Sequence, residues 1–143
     1  MILSDRDREA VQKELEKLAG PVKLVVFSQE LTAGDLCRQN EALVREVAEL
    51  SDQVTVEILN LAIDRERAEA YGIDQVPAIV GEGGGGRNYG IRFLGIPSGY
   101  EFSNLLDSMI VASSGEPALS DATKASLGTL ASDVEIKVFS TPT

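Results

Sequence analysis

The 143-residue sequence contains no histidine, no tryptophan and a single cysteine, Cys37. The absence of histidine excludes a serine-type triad with a histidine base and a metal site built from histidine and cysteine. One cysteine cannot form an internal disulfide, and it is compatible with a reducing compartment. We therefore predict no metal and no cofactor, and the reactive chemistry left open is that of one thiol.

Basic residues are also scarce, with 13 Lys and Arg against 23 Asp and Glu and a net charge of −10. Nucleic-acid binding needs clustered Lys and Arg, so we predict no nucleic-acid partner. The apolar runs are far shorter than the roughly 20 residues of a membrane-spanning helix. Polar and charged residues follow Met1-Ile2-Leu3, which leaves no signal-peptide core. We predict no membrane partner and a cytoplasmic location.

Hydrophobic spacing and turn residues predict the order α-β-α-β-α-β-β-α for the first part of the chain. The predicted helices are 4–19, 35–50, 64–71 and a last helix that the capping box Ser98-x-x-Glu101 opens and that ends near 112. The predicted strands are 22–27, 54–61, 76–80 and 89–94. A β-α-β start implies parallel strands, and the glycine run 81–86 predicts a hairpin tip. The pattern indicates an α/β fold, a mixed sheet with helices on both faces.

Two helices carry apolar stripes at helical spacing. In the first helix the stripe is Val11, Leu15 and Leu18. In the second helix we expect Leu36, Leu43, Val47 and Leu50 to be buried, with Cys37 and Val44 beside them.

The chain begins to repeat itself toward its C-terminus. Leu119-Ser120-Asp121 repeats the helix start Leu3-Ser4-Asp5, and the segment 134–140 (VEIKVFS) repeats the strand segment 22–28 (VKLVVFS). The repeat includes only a predicted helix at 120–131 and a predicted strand at 134–140. We therefore expect one unit at 1–112, a linker at 113–118 and the start of a second, incomplete unit at 119–143.

Three local features give the sequence a resemblance to the thioredoxin fold. Val76-Pro77 lies between the third helix and the third strand, where thioredoxin-like domains place a cis-proline. Residues 71–78 are similar to the family's lead-in to that proline. Residues 92–102 are similar to the strand-to-last-helix segment of the two-unit protein disulfide oxidoreductases, also called glutaredoxin-like proteins. The N-terminal domain of the alkyl hydroperoxide reductase flavoprotein has a comparable plan.

This resemblance implies a thioredoxin-like three-layer α/β/α unit with an extra N-terminal helix, followed by the first helix and strand of a second thioredoxin-like unit. It also implies a Cys-x-x-Cys motif at the start of the helix after the first strand. The matching residues here are Gly34-Asp35-Leu36-Cys37. Cys37 stands at the resolving position, and Gly34 replaces the attacking thiol. Val76 and Pro77 are candidate groove residues, beside which an extended peptide can pair with the backbone.

Four functions are compatible with these residues. The leading hypothesis is a redox-inactive unit of a thiol–disulfide oxidoreductase, with a structural or substrate-binding role and a downstream thioredoxin-like unit whose redox motif follows Thr143. The second is a non-redox scaffold that binds another chain, including a homodimer through 134–140. The third is a monothiol oxidoreductase that uses Cys37, against the reading of Cys37 as a small apolar remnant. The fourth is a peroxide-reductase setting, in which the missing unit passes electrons from a flavin domain. We expect this chain alone to lack activity.

Overall fold

The computed structural model describes residues 2–141, apart from the side chain of Thr32. In chain order the elements are α1 (Asp5–Leu15), β1 (Val22–Ser28), α2 (Glu30–Ala48), β2 (Val54–Asn60), α3 (Arg65–Tyr71), β3 (Ala78–Gly83), β4 (Arg87–Leu94), α4 (Tyr100–Ser114) and α5 (Asp121–Leu127). A short 3-10 turn, Gly84–Gly86, joins β3 to β4. The predicted order of elements is confirmed through α4.

The four strands form one mixed sheet in the order β2-β1-β3-β4. Strand β1 runs parallel to β2 and antiparallel to β3, and β3 and β4 form an antiparallel hairpin. Central strand β1 is rich in valine and almost entirely buried, as expected for a strand that is covered on both faces.

Helices cover the two faces of the sheet unequally. On one face, here called the helix-rich face, α1, α2 and α4 pack over Leu24, Val26 and Ile79. On the other, here called the α3 face, the seven-residue α3 packs over Val25, Phe27 and Val80. Val11, Leu15 and Leu18 are buried in the helix-rich layer as predicted, but the first helix ends at Leu15 instead of 19, so Leu18 lies beyond it.

The stripe predicted for the second helix is partly wrong. Leu36 is 52% exposed, whereas Cys37, Asn40 and Val44 are buried. Since neighbouring helical residues point about 100° apart, the face that begins at Cys37 turns Leu36 toward solvent.

Helix α4 begins one residue later than the capping box predicts. Its N-cap is Gly99, with φ 58°, and no side chain caps the helix. Ser98 contributes its backbone carbonyl, which accepts from the Glu101 N–H at 3.2 Å. The predicted Ser98 cap is wrong because the chain enters the helix through a left-handed glycine, a conformation that glycine adopts at little cost.

The glycine run is only partly a hairpin tip. Gly81–Gly83 belong to β3, where Glu82 lies opposite Lys23. A Cβ atom on Gly83 would lie 2.3 Å from the carbonyl oxygen of Ala112, so the close approach of β3 to the end of α4 requires glycine.

The C-terminal segment departs most from the sequence prediction. Helix α5 is shorter than predicted and buries none of its seven residues. The strand predicted at 134–140 is wrong, since this segment has no regular secondary structure. A strand needs a neighbouring strand for its backbone groups, and the four-stranded sheet within residues 2–141 supplies none here. The predicted second unit also includes Pro142 and Thr143, which lie outside the described residues, and the division into units stays a prediction.

Candidate functional site at the end of strand β1

The thiol of Cys37 is buried against the loop that follows β1. Cys37 is only 1% exposed. Its Sγ accepts a hydrogen bond from the backbone N–H of Gln29 at 3.4 Å. Gln29 is the residue directly after β1, so this contact joins α2 to the end of the central strand.

Gly34 is the first residue of the regular part of α2. Ala33 has non-helical angles (φ −147°, ψ 38°), which separate a preceding turn from the helix proper. A Cβ atom built on Gly34 would come closest to Nη1 of Arg38, at 3.2 Å. That atom is the far end of a flexible side chain, itself paired with the exposed Asp35. The position can therefore take a side chain once the end of Arg38 shifts by a few tenths of an ångström.

Pro77 lies at the same end of the sheet. The Val76–Pro77 peptide bond is cis. The carbonyl oxygen of Pro77 accepts from the Gly95 N–H at 2.8 Å, and the next residue, Ala78, pairs with Phe27 of β1. Because Phe27 is two residues before Gln29, the structure brings Cys37 and Pro77 to one end of the central strands.

Exposed apolar side chains surround this end of the sheet. Leu31 is 94% exposed and Ile63 is 81% exposed, one in the turn after β1 and the other in the turn after β2. A groove of about 400 Å³ opens between these turns and α3, lined by Gln29, Leu61, Ala62, Arg65, Ala68, Glu69, Ile73 and Asp74. The backbone of Val76 forms no hydrogen bond with any residue in 2–141.

A polar cluster that sequence reasoning missed occupies the α3 face toward the start of β1. Glu82, 3% exposed, accepts a hydrogen bond from the Tyr71 hydroxyl at 2.6 Å. Lys23 Nζ lies 3.0 Å from Glu82 and 3.2 Å from Glu57. Arg67 donates to both carboxylate oxygens of Glu57. We call these five residues the charge network.

The charge network shifts the titration of its members. The Arg67 guanidinium, assisted by Lys23, lowers the pKa of Glu57 to about 2. The hydrogen bond to Glu82 raises the pKa of Lys23, although burial opposes it. Burial raises the pKa of Tyr71. The sequence gives no clear signal for this cluster, because Lys23 and Glu82 become opposite each other only when β1 pairs with β3.

Asn40 is a second feature that the sequence prediction missed. It is fully buried, and neither atom of its amide group has a hydrogen-bond partner among residues 2–141. It lies one turn after Cys37 on the buried face of α2. The clue was a polar residue at helical spacing between the apolar positions 37 and 44.

Two general features bear on ligands and location. Within residues 2–141 there is no group of three or more Cys, Asp or Glu side chains that could hold a metal ion. No helix in that range has both the length and the apolar character to cross a membrane.

Comparison with known proteins shows which solved structures have a similar fold. No family model and no curated protein matches the sequence. Among solved structures, the alkylhydroperoxide reductase AhpF of Enterococcus faecalis (a C503A mutant) is similar with a TM-score of 0.81 at 23% identity, over 91% of this chain and 62% of that one. A protein disulfide oxidoreductase from Aeropyrum pernix has a TM-score of 0.77 at 23% identity, over 91% of this chain and 56% of that one.

A thioredoxin of Fasciola hepatica is more distant, with a TM-score of 0.53 at 18% identity, over 73% of this chain and 92% of that one. The chain spans about three fifths of the length of the first two proteins. At these identities the likeness concerns the fold. This protein has a thioredoxin-like α/β fold with an additional N-terminal helix, and its structural neighbours include the two kinds of protein that its sequence resembles.

Proposed function

We propose that this chain is a redox-inactive thioredoxin-like unit of a thiol–disulfide oxidoreductase, with a structural or substrate-binding role. One observation carries the proposal: the single thiol is 1% exposed, and glycine occupies the position where the attacking thiol would stand.

Thiol–disulfide exchange proceeds when a thiolate attacks one sulfur of a disulfide and a second thiol resolves the mixed disulfide. Gly34 cannot attack, and Cys37 cannot reach a disulfide sulfur in a client without leaving its contact with Gln29. Electrons therefore pass through another unit. We propose that residues 113–118 are a linker and that 119–143 begin that unit, in keeping with the greater length of the similar oxidoreductases.

A substrate-binding role is supported by the surroundings of Pro77. The free backbone of Val76 can pair with an extended peptide in the manner of an added strand. The exposed side chains of Leu31 and Ile63, in the turns at the same end of the sheet, offer apolar contact.

The second candidate is a scaffold or homodimerisation module, which the exposed apolar segment at 134–140 favours. A monothiol activity of Cys37 is disfavoured by burial, because reactive thiols are partly exposed.

A cytoplasmic location stays a prediction.

Restoring the missing thiol tests the proposal. We expect the wild-type chain to reduce insulin disulfides no faster than the background, and Gly34→Cys to form an internal disulfide and to exceed that background. Positions 34 and 37 are one helical turn apart, the spacing of Cys-x-x-Cys, and a side chain at position 34 requires only a small shift of the flexible end of Arg38.

The matched control is Asp35→Cys, which adds an exposed thiol that points away from Cys37. It should form no internal disulfide and remain at background. Exchange activity of the wild-type chain, or a Gly34→Cys chain that keeps two free thiols under oxidising conditions, contradicts the proposal.

A further inference from the structure

The segment 134–140 has the composition of a strand and lacks the surroundings of one. Val134, Ile136, Val138 and Phe139 are 61%, 82%, 84% and 91% exposed. Glu135 and Lys137 pair with each other at 3.1 Å, and their side chains are 75% and 65% exposed. Several neighbouring apolar side chains in water mark a surface that binds another protein surface.

The segment repeats the sequence of the strand with which β2 pairs. VEIKVFS at 134–140 follows VKLVVFS at 22–28, and β1 pairs with β2 in parallel, with Val22 opposite Val54 and Val25 opposite Glu57. If the segment copies that register, Val134 lies opposite Val54 and Lys137 opposite Glu57.

The outer edge of β2 is open and regular. Strand β2 is at the end of the sheet. Val22 N–H donates to Gln53 and Leu61 N–H to Ser28, so the odd-numbered residues of β2 face β1. Val56 and Ile58 accordingly direct their backbone groups outward. The strand contains no proline, glycine or bulge, the devices that protect an edge from another strand.

The other edge strand is less suitable. Strand β4 contains Gly90 and two arginines, and its pairing with β3 is interrupted by a register shift between Val80 and Glu82. Irregular and charged edges discourage strand addition.

The side chains on both faces of β2 match the segment in this register. On the helix-rich face Val56 and Ile58 are half-buried, and Ile136 and Val138 would lie beside them. A groove of about 360 Å³, lined by Arg45, Ala48, Glu49 and Val56, opens at this edge. On the α3 face Lys137 would lie beside the carboxylate of Glu57.

We propose that residues 134–140 of one chain add as a parallel strand to the outer edge of β2 in a second copy, reciprocally, in a closed dimer. The inference rests on the dimerisation candidate given above, in which 134–140 is not the first strand of a further unit, and it is independent of redox chemistry. A second copy is the occupant because Ser140 and Thr141 lie beside the start of α4, which packs on β3 and β4, away from the chain's own β2 edge. A reciprocal exchange satisfies both segments and leaves neither edge open.

The mass in solution is the first test. By light scattering, the full chain should have twice its 15.3 kDa mass at micromolar concentration. Ile136→Asp, which places a charge beside Val56, should reduce the mass to that of one chain. Leu130→Asp, at an apolar position that is 55% exposed and lies outside the segment, should leave the dimer intact. A monomer at every concentration overturns the proposal, as does an Ile136→Asp chain that stays dimeric.

The register is the second test. Thr55 and Glu135 are exposed and opposite each other in the proposed pairing, so a mixture of Thr55→Cys and Glu135→Cys chains should form a mixed disulfide dimer on mild oxidation. The control is a mixture of Thr55→Cys and Ile136→Cys chains, whose thiols lie on opposite faces and should not join. A predominant disulfide in the control mixture, or between two Glu135→Cys chains, overturns the proposal. These results are independent of the insulin assay, so either proposal can fail alone.

Discussion

At the scale of single residues, the buried face of α2 contains two polar groups, the thiol of Cys37 and the amide of Asn40. Cys37 contacts the backbone of Gln29, and Asn40, one turn later, has a buried amide group with no partner among residues 2–141. A buried amide without hydrogen bonds loses its hydration and gains nothing in return. The helix therefore contains a local source of instability directly beneath the candidate site.

Replacing Asn40 tests this source of instability. We expect Asn40→Leu, whose side chain has the same branching and the same number of heavy atoms, to raise the free energy of unfolding by about 1–3 kcal/mol, because it removes an unsatisfied buried polar group. The measurement is urea unfolding followed by circular dichroism.

The matched control for that experiment is Asn104→Leu on the exposed side of α4, which should change stability by less than about 0.5 kcal/mol. Destabilisation by Asn40→Leu would contradict this expectation, as it would if a buried water molecule satisfied the amide.

The positions of the candidate residues could be predicted from the sequence better than the polar groups around them. Cys37, Gly34 and the Val76–Pro77 pair could be located because each lies at a fixed place relative to a strand or helix end. Their roles stay predictions. The buried state of Glu82 could not be predicted, because it depends on which strands become neighbours. Asn40 had a signal that the prediction did not use, its helical spacing between the apolar positions 37 and 44.

At the scale of elements, the charge network substitutes for helical cover. Helix α3 has only seven residues and covers part of its face of the sheet. Near the start of β1, Lys23, Glu57 and Glu82 connect the three strands, and Arg67 and Tyr71 attach α3 to them. A hydrogen-bonded ion network of this kind depends on its carboxylates and cations being charged.

Acid should weaken this connection within a defined pH range. The pKa of Glu57 falls from its ordinary 4.5 to about 2 in the folded chain, so its stabilising effect is complete above about pH 4.5 and is lost as the pH falls toward 2. Since Glu57 is 34% exposed, screening reduces the effect, and we expect about 1–2 kcal/mol.

The check is urea unfolding of the wild type and Glu57→Gln at pH 7 and pH 3. Glu57→Gln should be less stable than wild type at pH 7 and show a smaller loss on acidification. Glu66→Gln, on the same helix as Arg67 and outside the network, should follow the wild type. Equal acid sensitivity of Glu57→Gln and wild type would contradict the assignment.

Element boundaries show where sequence patterns end and tertiary contacts begin. The order through α4 follows from apolar spacing, which reflects burial in any compact fold. The strand expected at 134–140 does not form, because β structure needs a neighbour that the pattern cannot supply. The start of α4 shifted because Gly99, rather than Ser98, sets the entry of the chain into the helix.

At the scale of the whole molecule, the stable body ends with α4. Ser113, near the end of that helix, accepts a hydrogen bond from the Ala19 N–H at 3.0 Å and so attaches α4 to the turn after α1. Beyond it, α5 and the segment after it bury no residue up to position 141.

Truncation should therefore separate structure from association. Deleting 119–143 should change the free energy of unfolding by less than about 0.5 kcal/mol at a concentration where the full chain is a single copy. It should also abolish the dimer. Deleting 113–143 removes the Ser113 contact as well and should cost about 1 kcal/mol or more. Urea unfolding and light scattering measure both effects, and a large loss on the shorter deletion would contradict this division.

The hydrogen bond between the Gln29 amide and the Cys37 sulfur gives the chain an internal reporter. A thiol reagent can reach the sulfur only after α2 separates from the loop behind β1, so the rate of labelling counts those separations. Alkylation of the only cysteine therefore measures local opening of the fold, because each alkylated molecule is one in which α2 has moved away from the sheet.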